Sequence, residues 1–79
     1  MQLKNPPREV KYPENLKINK QLKSGDRLLI AAKAGLSPGT VRDMLLGFRR
    51  ITDKAGYAII DVLEKRRQLQ KSLEEIANQ

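Results

Sequence analysis

Apolar and polar positions alternate with helical spacing through most of this chain, and two glycine-containing turns divide the pattern. Leu29, Ile30, Ala31 and Ala34 form an apolar stripe that follows Ser24-Gly25-Asp26. That turn places Asp26 to accept from the free N–H groups of a first helical turn, which predicts a helix starting there. Gly35 arrives where a helix end favours a residue that tolerates positive φ, so this helix should stop near Ala34. Ser37-Pro38 is a second start signal, with Ser37 as the cap and Pro38 in the first helical position, where its missing N–H costs nothing. Val41, Met44 and Leu45, at i, i+3 and i+4, turn one face of this second helix toward the stripe before it. The helix is expected to span Pro38 to Leu46 and to be closed by Gly47.

The flanks are less regular. Asn5-Pro6-Pro7 and Tyr12-Pro13 disfavour helix, so residues 1–13 read as a flexible basic arm carrying Lys4, Arg8 and Lys11. From Glu14 to Lys23, Leu16, Ile18 and Leu22 fit neither period cleanly, and a short helix is expected. Thr52 is placed to cap a last helix running from Asp53 almost to the end, since neither Pro nor Gly follows Gly56. In that helix Ile59, Val62, Arg66, Leu69, Leu73 and Ile76 follow alternating steps of three and four, the spacing of a coiled-coil seam with Arg66 as its one polar member. Ile59, Ile60 and Leu63 are expected to pack on the chain's own core. Val62, Leu69, Leu73 and Ile76 are the candidate residues for pairing with a second copy. The chain thus divides into the arm, a helical domain over 14–65 and an extension of the last helix over 66–79.

Composition narrows the chemistry. The 79 residues contain neither Cys nor His, which removes disulfides, thiolate nucleophiles, imidazole bases and zinc fingers. Aromatic residues are only 4%, thin for a sandwich or barrel, so an all-α fold is expected. Asp61, Glu64, Glu74 and Glu75 sit on a polar helical face and form no acid–base pair. Ser37-Pro38-Gly39 lacks the Lys-Ser or Lys-Thr ending of a phosphate loop. No enzyme activity, cofactor, metal or small-molecule substrate is expected. No apolar run reaches a membrane span, and Met1 to Asn15 lacks the apolar stretch of a signal peptide, so a cytoplasmic protein is expected.

Charge points to a partner. Sixteen Lys and Arg oppose nine Asp and Glu, for a net charge of +7. Residues 1–50 carry eleven basic and four acidic side chains and residues 51–79 carry five of each, so the whole excess lies in the first part. A polyanion would meet that part, either nucleic acid or anionic lipid as far as charge alone can tell, and nucleic acid is the expected one.

The stretch RLLIAAKAGLSPGTVRDMLL, from Arg27 to Leu46, resembles the helix-turn-helix of the phage-repressor-like and Lac-repressor-like DNA-binding proteins. Ala31 is small where the two helices would touch, and Gly35 stands in the turn. Ile30, Ala34, Leu36, Val41 and Met44 occupy the buried positions. GFRRIT continues like the loop after a recognition helix. The resemblance implies a compact lambda-repressor-like bundle that reads duplex DNA through its second motif helix, set in the major groove.

On that reading the outward face comprises Ser37, Pro38, Gly39, Thr40, Arg42, Asp43 and Leu46. Arg42 is the best base reader, because its fork matches the two acceptors of a guanine edge. Asp43 is awkward beside phosphates and is expected to restrain neighbouring Lys and Arg side chains. Leu46 is expected to fold toward Phe48 and the core. Pro38, Gly39 and Leu46 depart from the polar residues that many relatives carry at these places. Phosphate contacts are expected from Ser24, Arg27, Lys33, Arg49, Arg50 and Lys54. Lys54 is notable, because a cation in a helix's first turn opposes the macrodipole unless an anion approaches.

The sequence therefore reads as a DNA-binding transcriptional regulator, expected to be a repressor and a homodimer. The competing reading is a protein-interaction module, antitoxin-like, with the paired helices as scaffold and Leu69 to Ile76 as docking stripe. Structured RNA is a third, weaker option, because an A-form groove does not admit a recognition helix.

Overall fold

A computed structural model describes residues 8–79, and among them every regular element is an α-helix. The order is α1 (Asn15–Asn19), α2 (Asp26–Ala34), α3 (Pro38–Leu45) and α4 (Asp53–Ala77). α2 packs chiefly on α4, α3 packs on α2, and α1 lies against α3. No helix is long and apolar enough to cross a membrane among the described residues.

Local signals account for most of the element ends. Ser37 Oγ accepts from Thr40 N at 3.1 Å at the start of α3, with Pro38 in the first turn. Thr52 Oγ1 accepts from Ala55 N at 3.4 Å at the start of α4. α2 and α3 close in the same way. In each, an N–H beyond the helix end reaches back five residues to a carbonyl of the last turn, from Leu36 to Ala31 O (2.9 Å) and from Phe48 to Asp43 O (2.9 Å). This geometry needs a left-handed residue, supplied by Gly35 at φ 67° and Gly47 at φ 85°.

The core is built where these helices meet. Ile30, Val41 and Leu45 are fully buried, with Ala31, Ala34, Ala58, Ile59 and Val62 around them. Small Ala31, Ala34 and Ala58 allow close approach of the backbones, while Ile18, Leu22, Leu36, Ile51 and Leu63 cover the edges.

Several expectations are corrected. Asp26 does not cap α2. It is the first helical residue, Gly25 holds the cap position, and no side-chain cap bond forms. Its carboxylate instead turns back to accept from Lys23 N at 2.6 Å and pairs with Arg66 of α4. Leu29 is exposed, because it lies about 100° round the helix from Ile30, outside the arc covered by α3 and α4. Ile60 is exposed for the same reason, one position round from Ile59. Val62 is buried in the chain's own core at 5% exposure, so it is not free to pair with a second copy. The short first helix covers only five residues of the 14–23 stretch, and α3 ends one residue before Leu46, which takes the cap position.

The arm also departs from expectation over its described part. Residues 8–13 are held against the body: Lys11 N and Tyr12 N both donate to Gly47 O at 2.9 Å. Lys4 lies outside the described residues.

α4 outruns the rest of the molecule. Its inner face is buried from Ala55 to Val62, and Arg66 then meets Asp26 at the start of α2. Beyond that point the same face continues with Leu69, Leu73 and Ile76, exposed at 60%, 56% and 64%.

Candidate nucleic-acid interface

The outward side of α3 follows from burying Val41, Met44 and Leu45, since the residues between them must turn the other way. Ser37, Pro38, Gly39 and Arg42 are exposed, and Thr40, Asp43 and Leu46 are half-buried. The Ser37 and Thr40 hydroxyls bond each other at 2.8 Å, so the Thr40 hydroxyl is engaged with the cap residue. Leu46 is half-buried, between the outward face and the core.

An open cleft of about 720 Å³ separates the N-terminal part of α3 from the segment that leads into α2. Pro38, Gly39 and Arg42 line one side, and Lys23, Ser24, Gly25, Arg27 and Leu28 line the other, with Asn19 and Leu22 closing it. Five of the residues expected to contact DNA are thus gathered: Ser24, Arg27, Pro38, Gly39 and Arg42. Lys23, Arg27 and Arg42 make the cleft cationic, and it holds no carboxylate in its lining. Gly39 presents bare backbone at its wall, with nothing within 4 Å of where a Cβ would stand. Such a surface can receive a chain of phosphates and lets a rigid edge approach closely.

Asp43 lies next along α3, ringed by guanidinium groups. Arg8 Nη1 and Nη2 donate to its Oδ1 and Oδ2 at 3.0 and 3.1 Å, and Arg42 Nη2 stands 3.8 Å from Oδ1. The Arg8 hydrogen bonds hold the Asp43 carboxyl below its ordinary range, aided by the charges of Arg8, Arg42 and Arg49. Asp43 therefore restrains basic side chains, the role its position suggested. Arg49 and Arg50 are exposed in the loop after α3.

Lys33 and Lys54 lie elsewhere. They share a shallow depression with Gly35 and Tyr57 between the end of α2 and the start of α4, and no residue there also lines the cleft. Lys33 is paired with Asp61 at 2.7 Å, and Asp61 also meets Lys65 at 3.1 Å. Hydrogen bonds from Lys33 and Lys65 hold the Asp61 carboxyl low, and Asp61 in turn raises Lys33. Lys33 has a partner within the chain and needs no phosphate.

No family model, curated protein or solved structure matches this chain. The site must therefore be read from its own chemistry. Among the described residues no group of three or more acidic side chains could hold a metal ion. Lys23, Asn19 and Leu28 also line the cleft and are not among the residues expected to contact DNA. Lys23 was open to detection, because it directly precedes Ser24 and the turn that opens α2. Asn19 and Leu28 carry no signal in the sequence that distinguishes them from other surface positions.

Proposed function

We propose that this chain binds double-stranded DNA as a helix-turn-helix transcriptional regulator of the lambda-repressor-like type, with α2 across the backbone and α3 in the major groove. The observation that carries this reading is the cationic cleft in which Ser24 and Arg27, from the entry to α2, face Pro38, Gly39 and Arg42 of α3. A helix with its inner face in the core and its outer face bordered by phosphate-binding groups is suited to enter a groove about 12 Å wide. In this reading Arg42 reads a base edge, Lys23, Ser24, Arg27, Arg49 and Arg50 hold phosphates, and Lys33 and Lys54 are peripheral. Occupancy of a promoter site by such a protein would exclude polymerase, so repression is the proposed outcome, at the cytoplasmic nucleoid.

The decisive experiment is duplex binding against salt. With the four cations Lys23, Arg27, Arg49 and Arg50 engaging phosphates, log K should fall against log salt with a slope of about −4 per chain. Arg42→Ala should remove preference for a selected site, a loss of about 1–3 kcal/mol, while random-sequence binding changes little. A flat salt response, or no duplex binding at low salt, would favour the protein-interaction reading. Duplex RNA competing as well as duplex DNA would redirect the proposal to RNA.

We propose a homodimer through the projecting end of α4, because Leu69, Leu73 and Ile76 extend the buried face past the last element that covers it. Three apolar positions per copy make a weak seam. Pairing there would let two α3 helices address half-sites on one face of the duplex, about 34 Å or a multiple apart. Truncation after Arg67 removes Leu69, Leu73 and Ile76 but spares every residue of the core. Sedimentation should show the shortened chain as a monomer with unchanged helical folding per residue. An unchanged mass distribution would end the dimer proposal.

A further inference from the structure

Residues 8–13 form a strap that, together with Asn15 at the start of α1, is tied to the far end of the proposed reading helix by contacts from three successive places. Arg8 forks onto both carboxylate oxygens of Asp43 and lies 4.2 Å from the Phe48 ring centroid. Lys11 and Tyr12 donate to Gly47 O, and Asn15 Nδ2 donates to Met44 O at 2.9 Å and to Arg49 O at 3.1 Å. Asp43 is the only carboxylate in α3. Left alone, it would face the same phosphates that Arg49 and Arg50 attract.

Resting on the duplex reading above, we infer that Arg8 is a positioning residue: it neutralises Asp43 and turns it aside, so that the outward face of α3 can lie against a phosphate backbone. The bidentate fork suits this task, because two parallel bonds fix the carboxylate plane as well as cancelling its charge. Stacking on Phe48 holds the guanidinium over the loop after α3, so it reaches Asp43 from the strap side, while Arg42, the more distant partner at 3.8 Å, also lines the cleft. The alternative role for Arg8, a direct phosphate contact, predicts a different pattern of variants.

Two measurements on the full chain separate these. In the free protein, Asp43 faces Arg8 from the strap, Arg42 from α3 and Arg49 from the following loop. Its carboxyl, followed by NMR, should titrate at higher pH in Arg8→Ala than in the unaltered chain, and no upward movement would overturn the pair. For DNA, affinity for a mixed-sequence duplex is measured at fixed low salt for the unaltered chain, Arg8→Ala, Asp43→Asn and the double variant. Arg8→Ala should bind roughly tenfold more weakly, as expected for exposing one like charge near the phosphates. Asp43→Asn should bind at least as well as the unaltered chain, and the double variant within about threefold of Asp43→Asn. If Arg8→Ala weakens binding equally in the Asp43→Asn background, Arg8 touches phosphate itself and the inference is overturned. No binding by the unaltered chain, with the titration shift intact, would overturn the duplex reading and the role given to Arg8 while leaving the ion pair established.

Discussion

Asp26→Ala should lower the stability of the fold by about 2–3 kcal/mol, measured by urea unfolding near neutral pH. Asp26 is buried at 6% exposure, its carboxylate accepts from Lys23 N and from Arg66, and it thereby ties the entry of α2 to the middle of α4. Removing it orphans the Lys23 N–H and leaves Arg66 beside the core without its counter-charge. The estimate lies at or below the lower end of the range for breaking buried pairs, because the Arg66 side chain keeps 27% exposure and can turn partly to water. Arg66 also has Nη1 buried with no partner among the described residues, so the pair is incompletely satisfied. Replacing both members together, Asp26→Leu with Arg66→Leu, should therefore recover much of the lost stability. A double variant as unstable as Asp26→Ala would mean that the pair contributes more than the burial it displaces.

Acid should reveal the same pair. The hydrogen bond from Arg66 is the main cause holding the Asp26 carboxyl below its ordinary value of 3.8, against the opposing effect of burial. A carboxyl whose folded pKa is depressed contributes stability that is present above its unfolded pKa and lost as pH falls through the folded value. The gap in stability between the unaltered chain and Asp26→Ala should thus be constant above about pH 5 and narrow below about pH 4. Asp43 and Asp61 are also held low, so the unaltered chain as a whole should weaken in the same acid range.

Local chemistry made the helices legible, and long-range contacts hid the rest. Ser37, Thr52, Gly35 and Gly47 act within four or five residues of where they stand, so their roles can be read in a short window. Asp26 looks identical in sequence to a helix cap, but Lys23 N just before it and Arg66 of α4, forty residues later, draw its carboxylate away. A clue was present in Arg66, a charge inside an otherwise apolar stripe, which implies a partner of opposite sign but does not name it. The cleft was legible as far as helical periodicity reaches, because burying Val41, Met44 and Leu45 settles which side of α3 faces out. Lys33 falls among the phosphate candidates because counting charges carries no direction, and Lys54 because its place in a helix's first turn favours an anion without saying which surface it faces; α2 and α4 place both outside the cleft. The strap was illegible for a different reason. Proline marks residues 6–13 as non-helical but says nothing of where a non-helical segment docks.

The docking of that strap makes a position in the loop after α3 unusually restrictive. Gly35→Ala and Gly47→Ala both force a side chain into the left-handed region, which costs about 1–2 kcal/mol in each case. Around Gly35 nothing lies within 4 Å of the added Cβ, so the strain is the whole effect. Around Gly47 the Cβ would stand 2.8 Å from Tyr12 O and 2.8 Å from Val10 Cγ1. Val10 can rotate, but Tyr12 O belongs to the backbone that Gly47 O itself holds through Lys11 N and Tyr12 N. The strap must therefore lift, losing those two bonds, and Gly47→Ala should cost about 3 kcal/mol or more in thermal or urea unfolding. Hydrogen exchange should show Lys11 and Tyr12 amides losing protection in Gly47→Ala and keeping it in Gly35→Ala. Equal stability losses in the two variants, with both amides still protected, would mean that the strap does not rest on Gly47 in solution. Because Arg8 reaches Asp43 from this same strap, lifting it would also free the carboxylate, and Gly47→Ala should bind duplex DNA as weakly as Arg8→Ala does.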